Sequence, residues 1–320
     1  MHGERHLIFI ELGSGKRLDT APCPLVLATG NFDGVHLGHK SLIEKAVSYS
    51  AELASKTGQV VKSGVFCFSE PPADYLMPTP PAHISTLMRK LDLFSELGAE
   101  YAVIASFPHF RDLSPEEFIV FLKNDCYARA IVCGFNFTFG RFGRGDGAML
   151  KEGFGENAFV MPAVRSEDGE VISSSRIRTL AENGDIETVN ALLGRPFTIT
   201  ERVKRGKALG RRLGLPTINQ NFAEKALIPK PGIYISETVV GGVAYMSVSN
   251  IGKRPTVEVD GRINCETHLL DYEGELYGED ISVRLLKRTR DEKKFSSEEE
   301  LREAICLDVL TAREYFKNKK

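Results

Sequence analysis

Two histidines three residues apart, His36 and His39, close the run GNFDGVHLGH that begins at Gly30. The apolar stretch LVLAT (25–29) precedes the run, and KSLIEKAVSYSAELASK (40–56) follows with apolar residues three and four apart. A strand handing over to a helix here leaves free N–H groups and the positive end of the helix dipole at the junction, which makes an anion site. Gly30 and Gly34 permit a tight turn. The helix is expected to start near Leu37 or Gly38, so the two imidazoles stand on one side of its first turn. Gly38, between them, leaves room for a phosphate against the backbone. Three chemistries compete for such a pair. Metal binding needs a third ligand that the local sequence does not offer. Two structural histidines at a helix start would be the ordinary explanation of an isolated HxxH. Phosphate binding gains from the glycines, the strand–helix context and the stretches that follow.

ISSSRIR (172–178) places the hydroxyls of Ser173, Ser174 and Ser175 before a helix, where backbone N–H groups are free. Arg178 adds a planar fork suited to phosphate. GFNFTFGRFGRGDG (134–147) follows the apolar AIVC and offers Asn136. Phe137 and Phe139 can stack on a ring or pack in a core, and the Gly/Arg run reads as a mobile loop near phosphates. In the second half, VKRGKALGRRLGLPTIN (203–219) is dense in lysine and arginine and includes Gly210. A patch of this kind suits nucleic acid, or covers the phosphates of a nucleotide. It is not a Walker loop, because GxxxxGK[ST] is absent. Thr217 and Asn219 flank Ile218 on an expected strand, so a hydroxyl and an amide oxygen share one face, as Mg2+ prefers. Glu266, in INCETHLLDYEG, is a carboxylate on an otherwise apolar strand, where alternation permits it to face solvent.

These residues need a scaffold. At 320 residues the chain is expected to form two domains. The first half alternates apolar runs (7–12, 25–30, 61–68, 101–106, 130–135, 158–162) with helical patterns at 40–56, 83–98 and 114–123. The second helical pattern ends on a glycine signal. The third opens on a capping box of Ser114 and Glu117, with Pro115 in its first turn. This rhythm predicts a doubly wound parallel sheet, with ligands beyond the carboxyl ends of its strands. After a short helix near 184–194 the rhythm changes. Strand-like runs at 197–203, 232–240, 242–250, 263–272 and 280–287 are punctuated by Gly-Gly, Asp-Gly and Glu-Gly turns. They predict a small antiparallel β-barrel, closed by a helix from Ser297 to Lys317 whose cap pairs Ser297 with Glu300. The domains are expected at 1–185 and 186–320.

Composition excludes other classes. A net charge of −2 gives no global attraction to nucleic acid or anionic lipid. No apolar run approaches the roughly 20 residues of a membrane span. The N-terminus, MHGERHLIFIELGSGK, lacks a secretory layout, so a cytoplasmic location is expected. Six cysteines form no CxxC pair, and small buried hydrophobes in a reducing compartment are expected. The oligomeric state is left open.

Taken in order, GNFDGVHLGH, GFNFTFG, ISSSRIR, GLPTIN (214–219) and ETHLLDYEGELYG (266–278) resemble the bacterial bifunctional riboflavin kinase/FMN adenylyltransferase family, also called FAD synthetase. The likeness runs from about residue 22 to 316. It implies a Rossmann-like nucleotidyltransferase domain and a riboflavin kinase barrel, with ATP, riboflavin, FMN and FAD as substrates or products and Mg2+ as cofactor. It further implies that His36, His39 and Arg178 serve adenylyl transfer and that Glu266 is the base of the kinase step. Gly30, Asn31, Phe32, Asp33, Gly34, Asn136, Ser173, Ser174, Ser175, Gly210, Thr217 and Asn219 would hold nucleotide or flavin, with Thr217 and Asn219 on Mg2+. NIGKRPT (250–256) and RTRDEKKF (288–295) also match, the latter where riboflavin is expected. Three departures stand out: FSEPP (68–72) where the family commonly has F-D-P-H-P, Ser175 for a threonine, and Ile218 for the alanine of PTAN. The alternative is a nucleotidyltransferase for another phosphorylated acceptor with a non-kinase C-terminal domain. A nucleic-acid module using the basic loop and a flavin store are weaker readings, the first opposed by the near-neutral charge.

Overall fold

A computed structural model describes residues 7–12, 23–205, 214–253 and 263–319. The chain divides into two compact units, Met1–Ser174 and Ser175–Lys320.

In the first unit, strands β1 (Ile8–Leu12), β2 (Leu25–Thr29), β3 (Lys62–Phe68), β4 (Tyr101–Ala105), β5 (Ala128–Gly134) and β6 (Ala158–Met161) form one parallel sheet in the order β1-β4-β3-β2-β5-β6. Every residue of β2 and β4 is buried, as the unbroken apolar runs require of central strands covered on both faces. One core holds Leu25, Leu27, Phe66, Ile131 and Phe118; the other holds Val26, Ala28, Ile43, Phe94 and Val132. From β2 the chain winds outward through β3 and β4 and then returns to β5. The switch point therefore lies at the carboxyl ends of β2 and β5, where open α/β sheets bind ligands.

Helix α1 (Leu37–Thr57) starts where expected. After the short α2 (Ala73–Leu76), α3 runs Leu87–Glu96, four residues shorter at its start than the pattern from 83 predicts. The reason is a buried carboxylate: Asp33 accepts from the backbone N–H groups of Ile84 and Ser85, which are thereby held out of the helix. Thr86 then caps it, and Gly98, at φ +90°, supplies the left-handed exit. In α4 (Pro115–Asn124) the box of Ser114 and Glu117 forms in both directions. The Gly/Arg run is closed at its base as a turn. Phe139 and Gly145 exchange backbone hydrogen bonds, and Asp146 caps α5 (Gly147–Phe154), a helix the sequence pattern did not announce.

The second unit contains α6 (Ser174–Asn183) after its first residue, α7 (Ile186–Leu193) and six strands: β7 (Phe197–Arg202), β8 (Thr217–Asn221), β9 (Gly232–Val240), β10 (Val243–Lys253), β11 (Ile263–Leu269) and β12 (Asp280–Arg290). Within this unit α6 binds forward: Ala181 O accepts from Lys230 N, and Gly184 lies against Arg288. The strands form an antiparallel sheet in the order β7-β12-β9-β10-β11-β8. Its ends meet. Lys204 N reaches Asn219 O, and the fully buried Gln220 amide donates to Glu201 O and Ile281 O at 2.6 and 2.7 Å. Inside, Ser236, Thr238, Ser247, Ser249 and Thr267 form a chain of hydroxyl contacts of 2.8–2.9 Å. Outside, α8 (Glu298–Asn318) packs on Ile233, Ile235 and Val248 and is pinned by the two-pronged Arg290–Asp308 pair. Ser297 caps α8, but Glu300 accepts from Ser296 N and not from Ser297 N, so the expected reciprocal box is displaced by one residue.

Five cysteines are buried as expected; Cys306, on α8, is exposed. Burial raises the thiols of Cys133 and Cys265 to about 11.

Candidate active sites

The turn between β2 and α1 is sharply bent. Phe32, Gly34 and Val35 all adopt positive φ (50°, 84° and 38°), which costs energy at the two non-glycine residues and persists only where surroundings impose it. Three contacts do so. Asp33 is buried and carries Ile84 N and Ser85 N on its carboxylate. Its carbonyl oxygen accepts from Ser174 Oγ at 2.8 Å. Phe32 is fully buried, edge-on to Phe94, and forms the floor of the turn. Asn31, by contrast, is exposed.

His36 is the N-cap of α1: its Nδ1 accepts from His39 N at 3.3 Å. The two rings stack with centroids 3.7 Å apart and 15° between planes. His39 also leans on Phe32 at 5.2 Å. A methyl group at Gly38 would meet His36 Cε1 and Nδ1 at 3.1 and 3.2 Å, so glycine keeps that space clear. A pair of histidines held on the positive end of a helix, beside the N–H groups of its first turn, is suited to phosphate oxygens.

The structure brings the serine motif to this turn through Ser174, and Ile172 O lies 3.7 Å from the same virtual methyl of Gly38. Ser173 is half-buried and Ser175 exposed. Arg178 is half-buried one turn beyond Ser174 on α6 and belongs to the second unit. Gly30 N donates to Phe66 O. Asn136 is exposed just past β5, which pairs in parallel with β2, so both loops leave from one edge of the sheet. Phe139 is core, and the half-buried Phe137 stacks on it at 5.8 Å. In FSEPPADYL, Glu70 is taken up by Tyr75 Oη and Asp74 by His83.

In the second unit the register places Thr217 opposite His268, Ile218 opposite Thr267 and Asn219 opposite Glu266. Ile218 is buried, on the face away from Thr217 and Asn219, as strand alternation predicts. Glu266 is half-buried, and Asn264 donates from Nδ2 to its Oε1 at 3.2 Å. On its other side Glu266 faces Asn250, whose Oδ1 is buried with no hydrogen-bond partner among the described residues. A methyl at Gly252 would overlap the Glu292 carboxylate, so segment 288–295 lies over the same strand pair. A cleft with about 630 Å3 of open space is lined by Thr217, Asn219, Val203, Leu269 and Leu276. Gly210 and most of the basic loop lie outside the described residues, as does the end of NIGKRPT. Asn264 and Asn250 were not singled out from sequence. Only their place beside Glu266 marks them, and that pairing is set by the register of β8, β11 and β10.

Comparison with known proteins decides the family. Residues 18–176 match a sequence profile described as FAD synthetase, and residues 193–316 match one described as Riboflavin kinase. The bifunctional riboflavin kinase/FMN adenylyltransferase of Bacillus subtilis is 35% identical over 301 residues, covering 92% of this chain and 93% of that one. The Escherichia coli K12 protein of the same name is 35% identical, covering 91% and 92%. The chain belongs to the bifunctional riboflavin kinase/FMN adenylyltransferase family. It carries both of the family's enzyme domains, one in each half. A crystal structure described as a macrolide-efflux protein from Streptococcus pneumoniae has a TM-score of 0.83 at 29% identity, covering 96% of this chain and 99% of that one. Here, no helix among the described residues is long and apolar enough to cross a membrane.

Proposed function

We propose that the barrel unit phosphorylates riboflavin and that the parallel-sheet unit adenylylates the resulting FMN, each at the residues described above. The observation that carries this is the direct opposition of Asn219 and Glu266 across β8 and β11, in the same chain as the His36–His39 turn. In the kinase step the riboflavin 5′-hydroxyl oxygen bonds to the γ-phosphorus of ATP, the bond to ADP breaks, and Glu266 takes the hydroxyl proton. Asn264 holds one carboxylate oxygen, which aims the other. In the adenylyl step an FMN phosphate oxygen attacks the α-phosphorus of ATP and pyrophosphate leaves. No protein nucleophile is needed. His36, His39 and the N–H groups of α1 receive the growing negative charge, and Ser174 and Arg178 follow on the same motif. Gly30–Gly34, Asn136 and Ser173–Ser175 are assigned to ATP or flavin in this unit, and Gly210 to the kinase loop.

The oxygens of Thr217, Asn219 and Glu266 and the unsatisfied Oδ1 of Asn250 fit a hard cation. Among the described residues no three His, Cys, Asp or Glu side chains cluster as a metal cage. Thr217 and Asn219 would hold Mg2+ together with nucleotide phosphates, where it would neutralise charge on the transferred group. The domains are assigned as 1–185 and 186–320, in the cytoplasm, with no nucleic-acid partner.

The test is incubation with riboflavin, ATP and Mg2+, with separation of flavins by chromatography. FMN and FAD are expected in turn. His39→Ala should stop at FMN. Glu266→Gln should make FAD only from supplied FMN. Absence of both products in the parent would refute the proposal, and FMN without FAD would confine activity to the barrel.

A further inference from the structure

Lys90, on α3, is 2% exposed. Burial of an ammonium group is costly unless a counter-charge or full hydrogen bonding offsets it. Its Nζ makes one hydrogen bond, 3.3 Å to the carbonyl oxygen of Asn31, inside the turn that carries His36 and His39. Among the described residues no carboxylate forms an ion pair with it. Its charge reaches the buried Cys67 thiol on β3, which burial raises and Lys90 draws down. The acidic group of the turn, Asp33, accepts from Ile84 N and Ser85 N. An ammonium group has three donors, and one neutral carbonyl at 3.3 Å does not offset the loss of its water.

We infer that Lys90 is a positioning residue for adenylyl transfer: a buried cation under the β2–α1 turn whose missing counter-charge is the polyphosphate of the bound nucleotide. It acts in two ways. Its hydrogen bond to Asn31 O fixes the strained backbone that presents the histidines. Its charge adds to the helix dipole on the side of the turn away from solvent, where low dielectric preserves the field. The folded protein thus carries an unpaired charge that nucleotide binding satisfies. The inference rests on the proposed phosphate-binding role of this turn.

The experiment compares Lys90→Met and Lys90→Arg with the parent in the full chain. FAD formation is measured from supplied FMN, ATP and Mg2+, and FMN formation from riboflavin serves as a folding control. Lys90→Met should lower kcat/KM for ATP in FAD formation by about tenfold or more, with FMN formation unchanged and part of the loss restored in Lys90→Arg. Without nucleotide, Lys90→Met should melt no lower than the parent, because a buried charge is gone. The rise in melting temperature on adding ATP should shrink. A lysine with only a structural task gives the reverse: a lower melting temperature and an undiminished rise with ATP. That result, or an unchanged kcat/KM, overturns the inference. If Lys90→Met also loses FMN formation, the decision passes to Lys90→Arg, and an arginine variant that folds without ATP-dependent stabilisation overturns it. His39→Ala separates the two levels. Intact FAD formation in His39→Ala refutes the phosphate-binding role of the turn, whereas its loss there beside a normal Lys90→Met refutes Lys90 alone.

Discussion

Replacing Gly38 by alanine sets stability against activity at one atom. Gly38 is the second residue of α1. Alanine is the better helix former by about 1 kcal/mol in a helix interior, and by less near an end. The added methyl would sit 3.1 Å from His36 Cε1 and 3.2 Å from Nδ1, so the ring must move by a few tenths of an ångström. The His36 Nδ1 bond to His39 N is already 3.3 Å long and has no slack to follow. Losing that cap costs on the order of 1 kcal/mol. Gain and loss nearly cancel, so the melting temperature should hold within a few degrees. Catalysis has no such compensation. A misplaced phosphate contact costs up to ~100-fold, even for shifts near 1 Å. FAD formation from supplied FMN should therefore fall by about ten- to a hundredfold, while FMN formation stays at the parental rate. Calorimetry and the two flavin assays on one preparation decide it. An alanine variant with parental FAD turnover would show that the His36 ring position and the space at Gly38 are not used.

Asn264→Ala should slow FMN formation through kcat more than KM and leave FAD formation intact, because it frees a carboxylate that must be aimed; a pure KM effect, read by steady-state kinetics, would mean Asn264 binds substrate instead. With a thiol reagent under native conditions Cys306 should react rapidly and the other five cysteines only on unfolding, since burial holds Cys133 and Cys265 near 11 and Cys126 well above its usual range; two fast thiols by mass spectrometry would contradict this. The start of α8 should loosen on acidification. Hydrogen bonds from Ser296 and Lys293 lower Glu300 from 4.5 to about 2, so its contribution is complete above its unfolded value and fades as pH falls from about 4.5 to about 2. Protection from hydrogen exchange at Ser296–Leu301, taken relative to the unfolded chain at the same pH, should fall across that window in the parent, and Glu300→Gln should show low protection at neutral pH too.

Much of the molecule was legible in local chemistry. The unbroken apolar runs at 25–29 and 101–105 announced central parallel strands, because only strands covered on both faces dispense with polar residues. Ser114 and Glu117 fixed the start of α4, since a capping box is made within four residues. The order of GNFDGVHLGH, ISSSRIR and GLPTIN pointed to the family that the whole-chain comparisons then showed. The turn and helix at 139–154 were not legible, because composition does not reveal that Phe139 and Gly145 pair or that Asp146 caps a helix.

What the amino-acid sequence determined by itself was the inventory: two histidines on a helix start, hydroxyls before a helix, and a threonine, an asparagine and a glutamate on strands. Each depends on neighbours a few residues away. Which groups meet was decided only by tertiary structure. Asp33 takes Ile84 and Ser85 out of α3, Lys90 sits buried under Asn31, and Asn264, Asn250 and Asn219 surround Glu266. These contacts join residues tens of positions apart, and strand register and helix packing set them. A one-residue slip of β11 would turn Glu266 to the opposite face of its sheet, and no local pattern in the chain records which register is adopted.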